Sequence, residues 1–177
     1  TKSLQLGLRT LHEPTNFLIG GGLDDVWHDP ITDEIFIVDY KSTAGRRNED
    51  LTALQEISLV GAYKETYKRQ MDMYQWIMRQ NGFNVSKTGY FVYVNGDQHF
   101  EDGMLEEDVD KANMKFDVQL LSYEADDSWV EQTILDLKDC LLQEHCPDHA
   151  ESGYGPKGDK QCEHAQLFEG MKEHGLI

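Results

Sequence analysis

Apolar and polar residues in the first quarter of the chain follow the spacing of β-strands. The run FLI at 17–19 predicts a short strand, and the glycines at 20–22 predict a flexible or crowded backbone site directly after it. The next segments predict a hairpin made of an arm, a turn and a returning arm, at residues 23–28, 29–33 and 34–40. The polar stretch 42–50 then predicts a loop.

From residue 58 the apolar spacing changes to that of a helix, which we expect to end near residue 80, before Asn81 and Gly82. One face of this helix carries residues spaced i, i+4, i+7, i+11 and i+14, namely Tyr63, Tyr67, Gln70, Tyr74 and Ile77. A tyrosine stripe at this spacing is typical of a core, so we expect Tyr63 and Tyr67 to pack inside.

The second half of the chain repeats the pattern of strands followed by a helix. Residues 88–94 and 115–123 predict strands, and the acidic stretch 98–113 between them predicts irregular structure. Ser128-Trp-Val-Glu131 is a capping box that predicts a helix reaching about residue 142. The order strand, strand, helix, strand, strand, helix predicts an α/β fold with a mixed sheet.

Composition narrows the class of protein. The chain of 177 residues has 16 basic and 33 acidic residues, hence a formal charge of −17, which argues against a broad basic nucleic-acid surface. Aromatic residues form 10% of the chain, which is too many for a disordered acidic tail. The sequence contains no run of about 18 apolar residues, so it predicts no membrane-spanning helix. The charge suits a carboxylate metal site or, equally, the surface of a halophilic protein. Three cysteines favour a reducing, cytoplasmic environment over a disulfide scaffold.

The hairpin brings candidate chemistry together. If it is symmetric about its turn, Asp24 lies directly opposite Asp39, and Lys41 lies on the same face of the sheet as Asp39. Two opposed carboxylates repel each other unless a cation lies between them. A divalent ion with oxygen ligands would relieve this repulsion, and Lys41 could then contact an anionic substrate beside it. The alternative is that all three residues are ordinary surface charges.

The motifs GGLDDV at 21–26 and IVDYKST at 37–43, followed by Gln70 and Tyr74 at i and i+4, resemble the PD-(D/E)XK nuclease superfamily. The similarity is greatest to its RecB-like branch and to CRISPR-associated exonucleases, and it covers residues 17–95. It implies a restriction-endonuclease-like, three-layer core with a mixed central sheet flanked by helices. The family's upstream helix with a Glu or His has no counterpart around His12, so this helix is either in a missing upstream segment or absent from a reduced member.

The same resemblance assigns roles to individual residues. It implies that Asp24, Asp39 and the Tyr40 carbonyl bind Mg²⁺ or Mn²⁺, and that Lys41 orients or activates the attacking water. Gln70 and Tyr74 would hold the substrate or the lysine. The activity implied is hydrolysis of DNA phosphodiester bonds by an exonuclease or end-processing enzyme. The alternative is a weakly active or inactive scaffold module in a DNA recombination, repair or CRISPR-type nucleoprotein complex.

DNA binding by so acidic a chain requires a local basic groove. The acidic excess falls largely after residue 96, whereas six basic residues lie in or near the predicted site. These are Lys41, Arg46, Arg47, Lys64, Lys68 and Arg69. This distribution predicts a charged groove on an acidic body.

We expect two parts, a nuclease-like core at 1–145 and a loop-rich Cys/His tail at 146–177 packed on it. Cys146, His149, Cys162 and His164 could form a Cys₂His₂ zinc site. The resemblance alternatively suggests an iron–sulphur cluster that uses Cys140, Cys146, Cys162 and one cysteine upstream. The third possibility is that the tail binds no metal and that Cys140 is a buried free thiol in the last helix.

Overall fold

The chain folds as a mixed α/β protein, and the computed structural model describes residues 7–45, 54–97, 105, 110–144 and 163–176. Six strands are formed within these ranges, β1 (Leu8–His12), β2 (Phe17–Gly21), β3 (Asp25–Asp29), β4 (Glu34–Gly45), β5 (Thr88–Asp97) and β6 (Phe116–Glu124). The helices of the same ranges are α1 (Ala62–Gln80), α2 (Val130–Leu141) and α3 (Glu163–Glu173). None of these described helices is long and apolar enough to cross a membrane.

The strands form two sheets. The larger has the order β3-β4-β5-β6, with β4 and β5 parallel and the other pairs antiparallel, which confirms the predicted mixed sheet. The smaller sheet is the antiparallel pair β1-β2, whose tight turn places Asn16 at a positive φ of 58°. The sequence pattern did not assign β1, because its alternation is weak.

The register of the β3-β4 hairpin agrees with the prediction. Asp25 lies opposite Val38, and Trp27 lies opposite Phe36. One step further along the same register, Asp24 faces Asp39. Because a shift by one residue would turn every side chain to the other face of the sheet, this agreement is what allows the predicted site to form.

Helix α1 packs on one face of the large sheet, where apolar residues alternate inward. Met71 and Met78 of the helix are buried against Ile37, Phe91 and Tyr93 of the strands. The helix lies close to the sheet at Gly89, where a Cβ atom would come within 2.5 Å of the Met71 sulphur. This close packing fixes the height of α1 above β4 and β5, and so fixes the height of the side chains that α1 carries.

The other side of α1 is covered by α2 and the β1-β2 hairpin. Trp76 and Ile77 form a second buried cluster with Val130 and Ile134 of α2. Asp72 joins the two helices, because its buried carboxylate accepts hydrogen bonds from Trp129 Nε1 at 3.0 Å and from the Asp126 amide at 3.1 Å. Burial raises the pKa of Asp72, and these two hydrogen bonds oppose that shift.

Several predicted boundaries are wrong. β4 continues to Gly45, whereas a loop was expected from residue 42, because β5 supplies a parallel partner along the whole segment, from Ser42 opposite Val94 to Gly45 opposite Asp97. α1 begins at Ala62 and not at residue 58, after Gly61 with a φ of 121°.

The capping box is also absent. No side chain caps α2, and the Ser128 amide instead donates to Asp126 Oδ1 at 3.0 Å. Part of the tail, predicted to be loop-rich, is the helix α3.

Candidate metal centre

The predicted carboxylates lie where β3 and β4 separate. Asp24 immediately precedes β3, and Asp39 lies one residue beyond the last pair of the β3-β4 ladder. The Tyr40 amide therefore has no partner on β3 and donates instead to Asp24 Oδ2 at 2.9 Å. This hydrogen bond holds the Asp24 carboxylate at the edge of β4, next to Asp39.

Asp39 is buried, with 4% of the residue exposed. Burial raises the pKa of its carboxyl group, the Lys41 ammonium opposes this effect, and the negative charge of Asp24 adds to it. Lys41 Nζ lies 2.5 Å from Asp39 Oδ2 as an ion pair, although this buried oxygen accepts no aligned hydrogen bond. A buried carboxylate beside a second carboxylate is an environment that favours cations.

Lys41 lies two residues after Asp39 on the same face of β4, under α1. Its ammonium donates to Gln70 Oε1 at 3.3 Å and lies 4.5 Å from the centre of the Tyr67 ring. Gln70 Nε2 in turn donates to the Tyr74 hydroxyl at 2.7 Å. A continuous series of polar contacts thus runs from Asp39 through Lys41 and Gln70 to Tyr74. The structure brings all the predicted catalytic side chains together from the hairpin and α1.

Gly21, which lies before the β3-β4 hairpin, makes room for the Tyr74 end of this series of contacts. A Cβ atom on Gly21 would lie 2.5 Å from Tyr74 Cε1, so the Tyr74 ring packs directly on the backbone of β2. The expectation of a crowded backbone site is therefore confirmed at Gly21. At Gly22, in contrast, a Cβ atom would have no neighbour within 4 Å among the described residues.

Tyr40 presents its side chain to the opposite face of the sheet. Its hydroxyl donates to Asp25 Oδ2 at 2.8 Å, which lowers the pKa of Asp25 and raises that of Tyr40. Its main chain borders the site through the amide bonded to Asp24. That the Tyr40 carbonyl binds the metal stays a prediction. It depends on the position of the main chain and not on the direction of the side chain.

The residues present fit a hard divalent cation. Asp24 and Asp39 supply carboxylate oxygens, and the buried Asp39 Oδ2 already attracts one cation, the Lys41 ammonium. No group of three His, Cys, Asp or Glu side chains suited to a metal ion occurs within the described ranges. Two carboxylates, a main-chain carbonyl and water are the ligand set that Mg²⁺ uses beside phosphates.

Other predicted ligands lie away from this centre. Cys140 on α2 is exposed, contrary to the expectation of a buried thiol. Cys146, His149 and Cys162 lie outside the described residues, as does the side chain of His164, so the zinc site and the iron–sulphur cluster stay predictions. Arg46 and Arg47 of the proposed basic groove are likewise outside the described residues.

His12 does not take the place of the family's upstream acidic or His residue. It lies on β1, where its Nδ1 is 2.7 Å from Thr15 Oγ1 and its Nε2 is 2.7 Å from Glu131 Oε1. The imidazole is buried and ties the small hairpin to α2. Its geometry indicates a structural residue.

The first turn of α1 places Tyr63 and Lys64 beside the site. Tyr63 was expected in the core but is 64% exposed, on the first turn of α1. The Lys64 ammonium donates to the Tyr93 hydroxyl at 2.7 Å. Tyr93 lies opposite Lys41 in the parallel register of β4 and β5, so the contact between Lys64 and Tyr93 adjoins the site.

Comparison of the chain with protein-family models, with curated proteins and with solved structures gives no match.

Proposed function

We propose that the protein is a divalent-metal-dependent DNA nuclease of the PD-(D/E)XK type, an exonuclease or end-processing enzyme with a restriction-endonuclease-like core. The observation that carries the proposal is the set of contacts from Asp39 through Lys41 and Gln70 to Tyr74, with Asp24 held beside Asp39. These are the residues that the sequence motifs select. Ordinary surface charges would not be expected to converge under a helix.

Bound between Asp24 and Asp39, Mg²⁺ or Mn²⁺ would polarise the scissile phosphate and lower the pKa of a water molecule. Lys41 keeps positive charge beside the carboxylates, where it can stabilise the charge that develops on the phosphate during attack. Gln70 fixes the direction of the Lys41 ammonium, and Tyr74 fixes the Gln70 amide. Preorganisation of this kind matters because a catalytic group must be held within about 0.5 Å of its productive position.

The test compares metal binding and DNA cleavage in three variants. Lys41→Ala should bind Mn²⁺ nearly as the parent does but lose about 10²–10³ in cleavage rate, since one preorganised electrostatic group is removed. Lys41→Arg should restore little, because a planar guanidinium differs in shape and basicity from an ammonium. Asp39→Asn should lose both metal binding and cleavage.

Calorimetry with Mn²⁺ and degradation of labelled single- and double-stranded DNA supply the two measurements, with circular dichroism as the check of folding. Lys138→Ala is the matched control, because this lysine lies on α2 against the Phe17 ring, across α1 from the site. Cleavage by Lys41→Ala at the rate of the parent would refute the mechanism.

One observation favours a second candidate, a scaffold module without turnover in a DNA recombination, repair or CRISPR-type complex. The His12 imidazole, the nearest upstream candidate for the family's additional acidic or His residue, is engaged by Thr15 and Glu131. The two functions differ in one measurement. Mn²⁺ binding that depends on Asp39, without cleavage of any DNA by the parent, would identify the scaffold.

A further inference from the structure

The first turn of α1 carries an exposed aromatic ring in a fixed position. Tyr63 is 64% exposed, and its ring meets that of Tyr67 edge-to-face, with centroids 5.1 Å apart and planes at 77°. Tyr63 is thus held by its neighbour without being buried, which leaves ring surface available to another molecule.

This ring adjoins the candidate metal centre. The Tyr67 ring that supports Tyr63 is the same ring that the Lys41 ammonium contacts at 4.5 Å. Tyr63 is therefore one ring further from the metal ligands than Tyr67. A phosphate at the centre would place its flanking nucleotide near this tyrosine.

A second cation accompanies the two rings. The Lys64 ammonium lies 4.3 Å from the centre of the Tyr93 ring and 5.5 Å from that of Tyr67, and it donates to the neutral Tyr93 hydroxyl. Among the residues that the structure describes, the acceptor of Lys64 is this hydroxyl group, whereas Lys68 is paired with the Glu65 carboxylate at 2.7 Å. Positive charge is thus retained beside the rings, on a chain whose net charge is −17.

We propose that Tyr63 and Lys64 bind single-stranded DNA beside the centre, Tyr63 by stacking on a base and Lys64 by contact with a backbone phosphate. This inference rests on the proposed function and adds the substrate class to it. An exposed aromatic ring with adjacent ammonium groups is how proteins bind unpaired nucleic acid, since every base offers a π face. In a duplex the bases are stacked on one another, and their faces are not accessible to Tyr63.

The first experiment measures binding without cleavage. Fluorescence anisotropy in EDTA compares a labelled oligothymidylate with a duplex hairpin of equal charge. Tyr63→Leu should weaken single-strand binding about tenfold to a hundredfold, the effect of losing one stacked base, and should leave duplex binding unchanged. Tyr63→Trp should keep or improve single-strand binding. Phe116→Leu is the matched control, because it also replaces an exposed ring, on the far sheet strand β6.

Salt dependence tests Lys64 separately. Lys64→Gln should reduce the slope of log affinity against log salt by about 0.7, the value for one phosphate contact to a single strand. In cleavage assays both variants should raise KM for single strands with little change in kcat. Equal single-strand affinity of the parent and Tyr63→Leu would overturn the inference.

The two proposals can fail independently. If the parent binds single strands through Tyr63 but never cleaves DNA with Mg²⁺ or Mn²⁺, the nuclease function is wrong and the binding surface stands. If the parent cleaves DNA and Tyr63→Leu retains the KM of the parent, the nuclease stands and the binding surface is wrong.

Discussion

At the scale of single residues, the candidate site depends on the absence of a side chain at Gly21 as well as on the side chains that form it. Tyr74 ends the series of contacts that begins at Asp39, and its ring occupies the space where Gly21 has no Cβ atom. A methyl group there must displace the ring, because its contact would be only 2.5 Å. The orientation of Lys41 is in this way linked to a backbone position on a different sheet.

Gly21→Ala should therefore lower the cleavage rate while leaving Mn²⁺ affinity close to that of the parent. The displaced Tyr74 no longer fixes Gln70, but Asp24 and Asp39 are unaffected. Gly22→Ala is the matched control, since a Cβ atom at that position meets nothing within 4 Å in the described part of the chain. Single-turnover cleavage and calorimetry provide the two measurements. Equal cleavage rates for the two alanine variants would contradict the role of Tyr74.

The symmetry of the hairpin and period-2 spacing place Asp24, Asp39 and Lys41 on one face. Gln70 and Tyr74 are selected by the resemblance to the PD-(D/E)XK motifs, and helical spacing states only that the two share a face of α1. The same spacing misplaced Tyr63. Periodicity reports the side of a helix on which a residue lies, but it does not report how far the neighbouring layer extends along the helix. The first turn of α1 extends beyond the layer that packs against the rest of the helix, so Tyr63 is exposed.

At the scale of elements, the failed prediction of the α2 cap shows a local signal overridden by a tertiary contact. Ser128 and Glu131 have the spacing of a capping box, but Glu131 instead bonds to His12, which is far away in sequence. A buried imidazole requires hydrogen-bond partners for its ring nitrogens. A local sequence pattern cannot predict a partner as distant in sequence as Glu131 is from His12. Asp72 and its bonds to α2 escaped prediction for the same reason.

Removal of the Glu131 carboxylate should loosen the attachment of the β1-β2 hairpin. In Glu131→Ala the buried Nε2 of His12 loses its partner, at a cost of about 1–3 kcal/mol in the free energy of unfolding. Urea unfolding should show a lower midpoint at an unchanged slope. Gln132→Ala, which removes an exposed bond to Asp136 in the same turn of α2, should change the midpoint little. Equal losses in both variants would show that His12 does not depend on Glu131.

At the scale of the whole molecule, the formal charge of −17 acts on both stability and metal binding. Self-repulsion among the acidic groups opposes the compact state, and salt screens it over about 8–10 Å at moderate ionic strength. A divalent ion has an additional, local effect if Asp24 and Asp39 bind it. The two effects separate experimentally, because only the second depends on Asp39.

Thermal unfolding should therefore respond to Mg²⁺ in two parts. At about 100 times its dissociation constant, bound Mg²⁺ should stabilise the parent by about 2.7 kcal/mol beyond the effect of NaCl at equal ionic strength. In Asp39→Asn the two salts should act alike, and EDTA should remove the excess stabilisation from the parent alone. An excess that survives in Asp39→Asn would place the ion elsewhere on the acidic surface.

The overall class of fold was predictable because strands and helices follow one another in clear periodic segments. The division of the strands into two sheets was not, since β1 and β2 have spacing no different from that of strands in the large sheet. The extension of β4 to Gly45 was hidden as well. Polar residues at the end of a strand resemble a loop until a parallel partner, here β5, supplies their hydrogen bonds.

The double pairing of β4 also has a consequence for the order of folding. Its first half pairs with β3 across the short turn that follows Asp29, whereas its second half pairs with β5 only after the whole of α1 has intervened. Closure of the short loop loses less chain entropy, so the hairpin should form first. Asp24 and Asp39 are then side by side before α1 packs on β4. During folding the two carboxylates thus meet before Gln70 and Tyr74 reach Lys41, and an ion that bridges them would act on a nascent hairpin as well as on the finished protein.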